Sequence, residues 1–310
     1  MKTLLSILAS VIGLTVSAEA SLRWFVGLGN PLLYVADEEI GYLLSPNQQT
    51  RRGGSQIIVN QYSMRSEMLT PKKPHDTTRV FLLGDSLVNG GWWTDQSVIL
   101  SQLLKSELQQ NNKKIAPKTF EVFNASAKDW SPRHELAYLK KYGLFEADTL
   151  VLVINTEDLF GTKPSSMVVG RDRHYPIEKP HLALIELYKS YLPKQPPVPE
   201  LLTTEAESDP VGSNLEAIQQ IKAIAKDNHA RLIVVLTPLR KELESGSNEA
   251  ELQAKARLQE LIAQEKISYL DFFPTFTDFP QPEFLYRDRT HLSPQGEALV
   301  SQKIAEAILN

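Results

Sequence analysis

Five short apolar runs alternate with amphipathic stretches from residue 77 onward, and this alternation limits the folds open to the chain. The runs lie at residues 79–84, 119–126, 148–156, 230–238 and 267–273. Stretches with the apolar spacing of a helix lie at residues 96–111, 134–143, 215–228, 249–265 and 293–309. Continuously apolar strands separated by helices are typical of a parallel sheet with helices on both faces. We therefore predict an α/β fold, with its chemistry at the carboxyl ends of the strands.

The composition is that of an ordinary folded protein and argues against several functions. With 310 residues, 42% hydrophobic and 23% charged, the chain can bury a sizeable core. A net charge of -4 provides no basic face for nucleic acid, so no such partner is expected. The absence of cysteine excludes disulfides, a thiolate nucleophile and cysteine-ligated metals. The histidines show no metal-binding spacing, and we expect neither a metal nor an organic cofactor.

Residues 1–20 have the character of a targeting segment. One lysine precedes an uncharged, mostly apolar run over residues 3–18, and Ala18-Glu19-Ala20 has the small-x-small pattern of a signal-peptidase site. The run is shorter than the roughly 20 residues that span a bilayer comfortably, which favours a cleaved signal peptide. Apolar residues resume after Glu19, so an uncleaved signal anchor that tethers the protein to the membrane stays open. An ordinary buried helix is disfavoured, because no polar face recurs at helical spacing. Both favoured alternatives predict export to the periplasm or cell envelope.

Residues 21–76 differ from the rest in their many turn formers and short apolar alternations. They predict an irregular, β-rich N-terminal extension, with a hairpin that turns at Arg52-Gly53-Gly54. A linker at 70–78 then leads into the main domain, which we place at 77–310. The proline-rich residues 192–200 and the polar residues 203–210 predict a flexible surface insertion.

Polar residues interrupt the first apolar run at Gly84-Asp85-Ser86, directly before a helix-like stretch. A serine there is either a nucleophile or only the N-cap of the helix. Near the other end of the chain, Asp288 and His291 precede the last helix. A serine nucleophile needs an imidazole base that is oriented by an acceptor on its other nitrogen, and Asp288 and His291 can supply both from one turn.

Four sequence blocks together resemble those of the SGNH/GDSL hydrolases. They are Gly-Asp-Ser-Leu after the first strand, VFNASAKDWSP at 122–132, VINTEDL at 153–159, and the aspartate and histidine at 288 and 291. The resemblance covers about residues 77–310, and residues 29–48 and 57–67 resemble the N-terminal extension of a bacterial, envelope-associated branch of the family. It implies a three-layer α/β/α sandwich of flavodoxin-like type that hydrolyses esters or thioesters. It also implies that Ser86 is the nucleophile, His291 the base and Asp288 its orienter.

Two blocks depart from the family pattern where the oxyanion should be bound. By the resemblance the backbone N–H groups of Ser86 and Asp129 stabilise the oxyanion, with Asp129 in place of the usual glycine. The third block has Glu157 where the family has a donating asparagine, and an ionised carboxylate only accepts hydrogen bonds. Losing one oxyanion donor costs roughly 3 to 4 kcal/mol. Asn89, one helical turn after Ser86, is a candidate replacement donor or else a solvated helix residue, and Glu157 is expected to pair with a cation or to stay protonated.

Aromatic and basic residues near the same strand ends are candidates for substrate binding. Trp92, Trp93 and Trp130 either floor a sugar or acyl site or are simple packing residues. Arg171, in the loop at 170–176, either binds an anionic substrate group or is merely solvated.

The sequence therefore predicts an exported serine esterase that cleaves an acyl ester of a small molecule or an acylated glycan. Export and the resemblance suggest O-acetyl groups of an envelope polysaccharide as the substrate. An O-acyltransferase with the same triad is one alternative. A glycan-binding envelope protein whose esterase site has decayed is another, and the altered second and third blocks are the evidence for it.

Overall fold

The computed structural model describes residues 1–112, 119–191 and 207–310. The chain opens with a helix that has no buried residue, α1 (Lys2–Ser21), which continues into a π-helical turn at Leu22–Val26. Together these 25 residues are long and apolar enough to cross a membrane, and they are the one such helix among the described residues.

The N-terminal extension contains two antiparallel hairpins. The first pairs β1 (Tyr34–Asp37) with β2 (Gly41–Leu44), and the second pairs β3 (Gln48–Arg52) with β4 (Ser55–Val59). Gly53 and Gly54 connect the second pair, both with positive φ, as a tight two-residue hairpin turn demands, so the predicted turn is confirmed. Ile40, Tyr42 and Ile57 are buried in the same apolar core as the main sheet. The extension is therefore packed onto the rest of the protein.

The five apolar runs form one parallel sheet. Its strands are β5 (Thr77–Gly84), β6 (Thr119–Ser126), β7 (Thr149–Asn155), β8 (Arg231–Thr237) and β9 (Ser268–Asp271). They lie in the order β6-β5-β7-β8-β9, and all neighbouring pairs are parallel. Numbered within the sheet, this is the doubly wound order 2-1-3-4-5, which places the switch point beside β5.

Helices cover both faces of the sheet. The helices of the main domain are α2 (Ser86–Asn89), α3 (Leu100–Asn112), α4 (Pro132–Tyr142), α5 (Ala183–Tyr191), α6 (Pro210–Asp227), α7 (Arg240–Ser245), α8 (Glu249–Glu265), α9 (Phe272–Thr277) and α10 (Pro294–Leu309). Short 3₁₀ turns lie at Gln96–Val98, Thr156–Phe160 and Pro282–Leu285.

Alternate residues of each strand enter two separate cores. Phe81 and Leu83 of β5 belong to the core that includes residues of α4, α6 and α8. Val80 and Leu82 belong to the core that includes residues of α3 and α10. The prediction of a three-layer α/β/α sandwich is thus confirmed. The insertion predicted over 192–200 lies outside the described residues, as does the start of its polar continuation.

Candidate active site

Ser86 lies at the carboxyl end of β5, on a turn that only glycine allows. A Cβ on Gly84 would come 2.6 Å from the carbonyl oxygen of Val153 and 2.5 Å from a methyl of Val88. Asp85 is the N-cap of α2, since its Oδ1 accepts from the N–H of Leu87 at 2.8 Å. The capping role open to Ser86 in the sequence thus belongs to Asp85, and Ser86 is the first helical residue.

Ser86, His291 and Asp288 form one chain of hydrogen bonds. The distance from Ser86 Oγ to His291 Nε2 is 2.9 Å, and His291 Nδ1 lies 2.8 Å from Asp288 Oδ2. Asp288 Oδ1 also accepts the backbone N–H groups of Thr290 and His291, at 3.0 and 2.9 Å. Residues 205 positions apart in the sequence, Ser86 and His291, therefore meet with the geometry that a serine nucleophile and its base require.

The electrostatics of Asp288 suit an ionised orienting group. Partial burial acts to raise the pKa of Asp288, but the hydrogen bonds from the backbone N–H groups and the His291 ring outweigh it, and the pKa lies below its usual value. A carboxylate at neutral pH accepts the Nδ1–H of the imidazole, which leaves Nε2 as the acceptor facing the serine hydroxyl. This tautomer follows from the hydrogen-bond network.

The carboxyl group of Asp85, next to the serine, is in a contrasting environment. Burial raises its pKa to about 6, although the hydrogen bond from Leu87 and the charge of His291 act in the other direction. Its second oxygen accepts from Asn155 Nδ2 at 3.2 Å and lies 3.4 Å from Ser86 Oγ. Asn155 was not among the predicted site residues, although its place at the end of β7 was a usable signal.

Trp93 packs directly on the imidazole of His291, the candidate base. Its ring meets that of His291 edge to face, with centroids 4.8 Å apart and an interplanar angle of 78°. The guanidinium of Arg287 lies over the Trp93 ring, 4.9 Å from its centroid. The sequence placed Trp93 near this edge but did not predict its contact with His291.

A buried arginine of the N-terminal extension holds the segment that carries Trp92 and Trp93. Arg65 is fully buried and donates to the carbonyl oxygens of Asn89 at 2.5 Å and Gly91 at 2.6 Å, and also to that of Thr94. In addition, Ser55 Oγ donates to the carbonyl oxygen of Trp93 at 2.9 Å. This contribution of the extension could not be predicted from the sequence, because a single arginine that donates to backbone carbonyl oxygens leaves no motif.

The two groups expected to donate to the oxyanion are the backbone N–H groups of Ser86 and Asp129. The N–H groups of Ser86 and Asp129 have no hydrogen-bond partner within the described part of the chain. Asp129 adopts a left-handed backbone with φ of 59°, the conformation that a glycine would take most easily. Its carboxylate turns outward to Tyr175 Oη at 2.7 Å and Lys128 Nζ at 3.2 Å.

Asn89 and Glu157 have partners of their own. Asn89 is buried, and its Nδ2 makes long contacts of 3.4 and 3.5 Å with the carbonyl oxygen and Oγ of Ser126. Glu157 lies at the carboxyl end of β7 in the turn Thr156–Phe160 and pairs with Arg289, with 3.3 Å between Oε1 and Nη2. Glu157 is thus paired with a cation, which is one of the two states expected for it from the sequence.

The candidate substrate-binding residues are in different settings. Trp92 is 51% exposed and Arg171 is exposed, so both can meet a ligand. Trp130 is 1% exposed, donates from Nε1 to the carbonyl oxygen of Tyr42 and stacks on His134. The expectation that Trp130 floors a substrate site is therefore corrected: its ring is enclosed by the extension and α4, and its role is packing.

Within residues 1–112, 119–191 and 207–310, no group of three or more histidine, aspartate or glutamate side chains is placed to hold a metal ion. The arrangement that is present, a hydroxyl joined to an imidazole and a carboxylate, can perform nucleophilic acyl transfer.

The chain resembles solved structures in its fold. A lipase/acylhydrolase from Enterococcus faecalis is 16% identical, with a TM-score of 0.45 over 74% of this chain and 95% of that one. A GDSL-like lipase from Bacteroides thetaiotaomicron is 12% identical, with a TM-score of 0.44 over 77% and 93%. An acetyl xylan esterase is 15% identical, with a TM-score of 0.49 over 74% and 99%. No family model and no curated protein sequence matches the chain.

Proposed function

We propose that this chain is a serine esterase of the SGNH/GDSL type that cleaves an acyl ester. The observation that carries the proposal is the continuous chain of hydrogen bonds from Ser86 Oγ through His291 to Asp288 at the carboxyl edge of the sheet. That edge is where doubly wound sheets hold their chemistry. The four sequence blocks and the doubly wound topology support the same assignment.

In the proposed reaction, Ser86 Oγ attacks the ester carbonyl while His291 Nε2 takes the hydroxyl proton. The ionised Asp288 stabilises the imidazolium through Nδ1. The N–H groups of Ser86 and Asp129 donate to the tetrahedral oxyanion. His291 then returns the proton to the leaving alcohol, and a water molecule, activated by the same imidazole, hydrolyses the acyl-enzyme and regenerates Ser86.

The proposed substrate is an acyl ester on a glycan, with O-acetyl groups of an envelope polysaccharide as the specific case. Exposed Trp92 supports it, because its ring lies 5.7 Å from that of Trp93, which packs on His291, and an exposed aromatic ring can stack on a sugar. The apolar helix at Lys2–Val26 supports export and attachment to the membrane. In this proposal, the enzyme works in the periplasm or envelope, held there by an uncleaved N-terminal helix.

Incubation with a fluorophosphonate probe and with p-nitrophenyl acetate tests the activity. The expected result is labelling of Ser86 together with turnover, and both are lost in Ser86→Ala. Labelling with slow turnover that a sugar acceptor accelerates would instead identify an acyltransferase. Absence of labelling in the folded protein would contradict the esterase proposal and favour a glycan-binding protein with a decayed site.

A further inference from the structure

One side of α5 exposes apolar side chains next to the N-terminal helix. Ile185 and Tyr188 share one side of the helix, and Leu182, directly before its first residue, continues the same three-residue spacing. Trp24 and Phe25, at the end of the apolar N-terminal helix, are each 74% exposed. We call these five residues the interfacial face.

Hydrogen bonds fix α5 to the last turns of the N-terminal helix. The carboxylate of Glu19 accepts the N–H groups of Ala183 and Leu184 at 2.8 and 3.0 Å, and so caps the start of α5. Arg23 donates to the carbonyl oxygen of His181 at 2.8 Å and pairs with Glu19 at 2.6 Å. These partners are the immediate sequence neighbours of Leu182 and Ile185, so the exposed apolar residues start where the N-terminal helix ends.

The buried side of α5 is anchored in the extension. Glu186 is buried, accepts the N–H of Gly29 at 2.5 Å and pairs with Arg52 at 2.5 Å. With its inner side held by the extension and its start held by Glu19, α5 has a fixed orientation relative to the N-terminal helix.

We infer that the interfacial face rests on the lipid headgroup region of the membrane that α1 enters, and that the N-terminal helix is retained in the mature protein. This inference rests on the tether proposed above and not on the esterase chemistry. Residues 2–18 precede the charged pair Glu19–Arg23 and form a helix about 25 Å long. A hydrocarbon core of about 30 Å adapts to a span of this length by local thinning and by interfacial residues at the helix end. Tryptophan and tyrosine are the residues that prefer the membrane–water interface.

The charges near this face fit the same position. Glu19 and Arg23 neutralise each other at the boundary, whereas residues 3–18 carry no charge. Of the nine large apolar side chains exposed after residue 26 in the described ranges, four fall within residues 177–188. Such a local concentration of exposed apolar area marks an interaction surface, and its fixed place beside the membrane helix identifies lipid as the occupant.

Site-directed labelling of the full-length chain in phosphatidylcholine–phosphatidylglycerol vesicles tests this inference. Because the natural chain has no cysteine, single variants Ile185→Cys, Tyr188→Cys, Ser10→Cys and Leu252→Cys each carry one environment-sensitive fluorophore. Leu252 is the matched control, since it is 57% exposed and lies on α8. We expect a blue shift, and at least threefold stronger quenching by nitroxide lipids, at positions 10, 185 and 188 than at 252.

Three outcomes would overturn the inference. Quenching at 10 but not at 185 and 188 would leave the tether intact and reject the face. A blue shift at 185 and 188 without lipid quenching would show that protein, for instance a second copy, covers the face. A mature chain that begins at Ser21, measured by mass spectrometry, would reject retention of the helix. Fluorophosphonate labelling of Ser86 in the same vesicles reports the esterase proposal separately.

Discussion

Ser86 and His291 approach each other from two regions that are held in place in different ways. Ser86 is 9% exposed and sits on a turn defined by β5, Gly84 and the cap Asp85. His291 lies on a loop at the protein surface, where the side chain of Asp288 is 47% exposed. The nucleophile thus depends on the sheet and its buried supports, whereas the base depends mainly on hydrogen bonds around its own loop. Substitutions in the two regions should therefore affect different measurements.

The largest expected effect lies where the two regions meet. Ser86→Ala and His291→Ala should each lower turnover of p-nitrophenyl acetate by roughly 10³ to 10⁶, because each removes one member of a unit. The double variant should be little worse than either single one. If the two losses multiplied instead, Ser86 and His291 would be acting independently, and the proposed triad would be wrong.

The sheet was predictable from the sequence because each strand is a continuous apolar run, such as residues 149–155, which the structure buries throughout. Ser86, Asp288 and His291 were found because the strand-end position and the aspartate–histidine spacing are local patterns. Trp130 was wrongly included among the candidate substrate-binding residues, because the sequence does not show whether the ring of a tryptophan after a strand faces solvent or the extension. The support from Arg65 was not predictable, since its acceptors are backbone carbonyls up to 29 residues away.

The next largest effect should be on stability, in the buried region. Arg65→Met removes the donors to the carbonyl oxygens of Asn89, Gly91 and Thr94. Each buried acceptor left unpaired costs about 1 to 3 kcal/mol, so the free energy of unfolding should fall by at least about 3 kcal/mol in chemical denaturation. The exposed Arg171→Met is the control and should stay within about 0.5 kcal/mol. A loss below about 1 kcal/mol in Arg65→Met would show that this buried arginine does not support the segment.

A buried carboxyl group makes the same region sensitive to pH. Burial raises the pKa of Glu297, on α10, to about 8, although the charge of Arg65 opposes this. Because the folded pKa lies above the unfolded one, its contribution to stability is present at low pH and is lost as pH rises towards 8.

The stability advantage of Glu297→Gln over the natural chain should therefore grow between pH 5 and pH 8, by more than about 1.4 kcal/mol, the equivalent of one pKa unit. Urea denaturation at pH 5, 6.5 and 8 measures it. An advantage that shrinks with pH would mean that Glu297 is ionised in the fold and stabilised by Arg65.

Substitutions around the exposed loop that carries His291 should have smaller effects, and these should appear in kcat and KM. Trp93→Ala removes the ring that packs on His291, and aromatic pairs of this kind contribute about 0.5 to 1.5 kcal/mol. We expect kcat to fall about two- to tenfold with KM nearly unchanged, because the ring positions the base. Trp92→Ala is the neighbouring control and should instead raise KM for an acetylated oligosaccharide. A change confined to KM in Trp93→Ala would assign that ring to the substrate.

The smallest effect is expected at Glu157, where the sequence departs most from the family. Its carboxylate pairs with Arg289 on the loop of the base, and with side chains 42% and 68% exposed this ion pair should contribute only about 0.2 to 1 kcal/mol. An ionised group aimed at the oxyanion would oppose the charge that develops there, so the pairing with Arg289 keeps Glu157 in a role outside the reaction.

Glu157→Asn, which restores the family's amide, should leave esterase activity within about threefold or raise it. Arg289→Gln removes the other partner of the same ion pair and should likewise leave esterase activity within about threefold or raise it. A fall of a hundredfold or more in Glu157→Asn alone, with an unchanged circular dichroism spectrum, would give the carboxylate a catalytic role and remove the contrast between a fixed nucleophile and a locally held base.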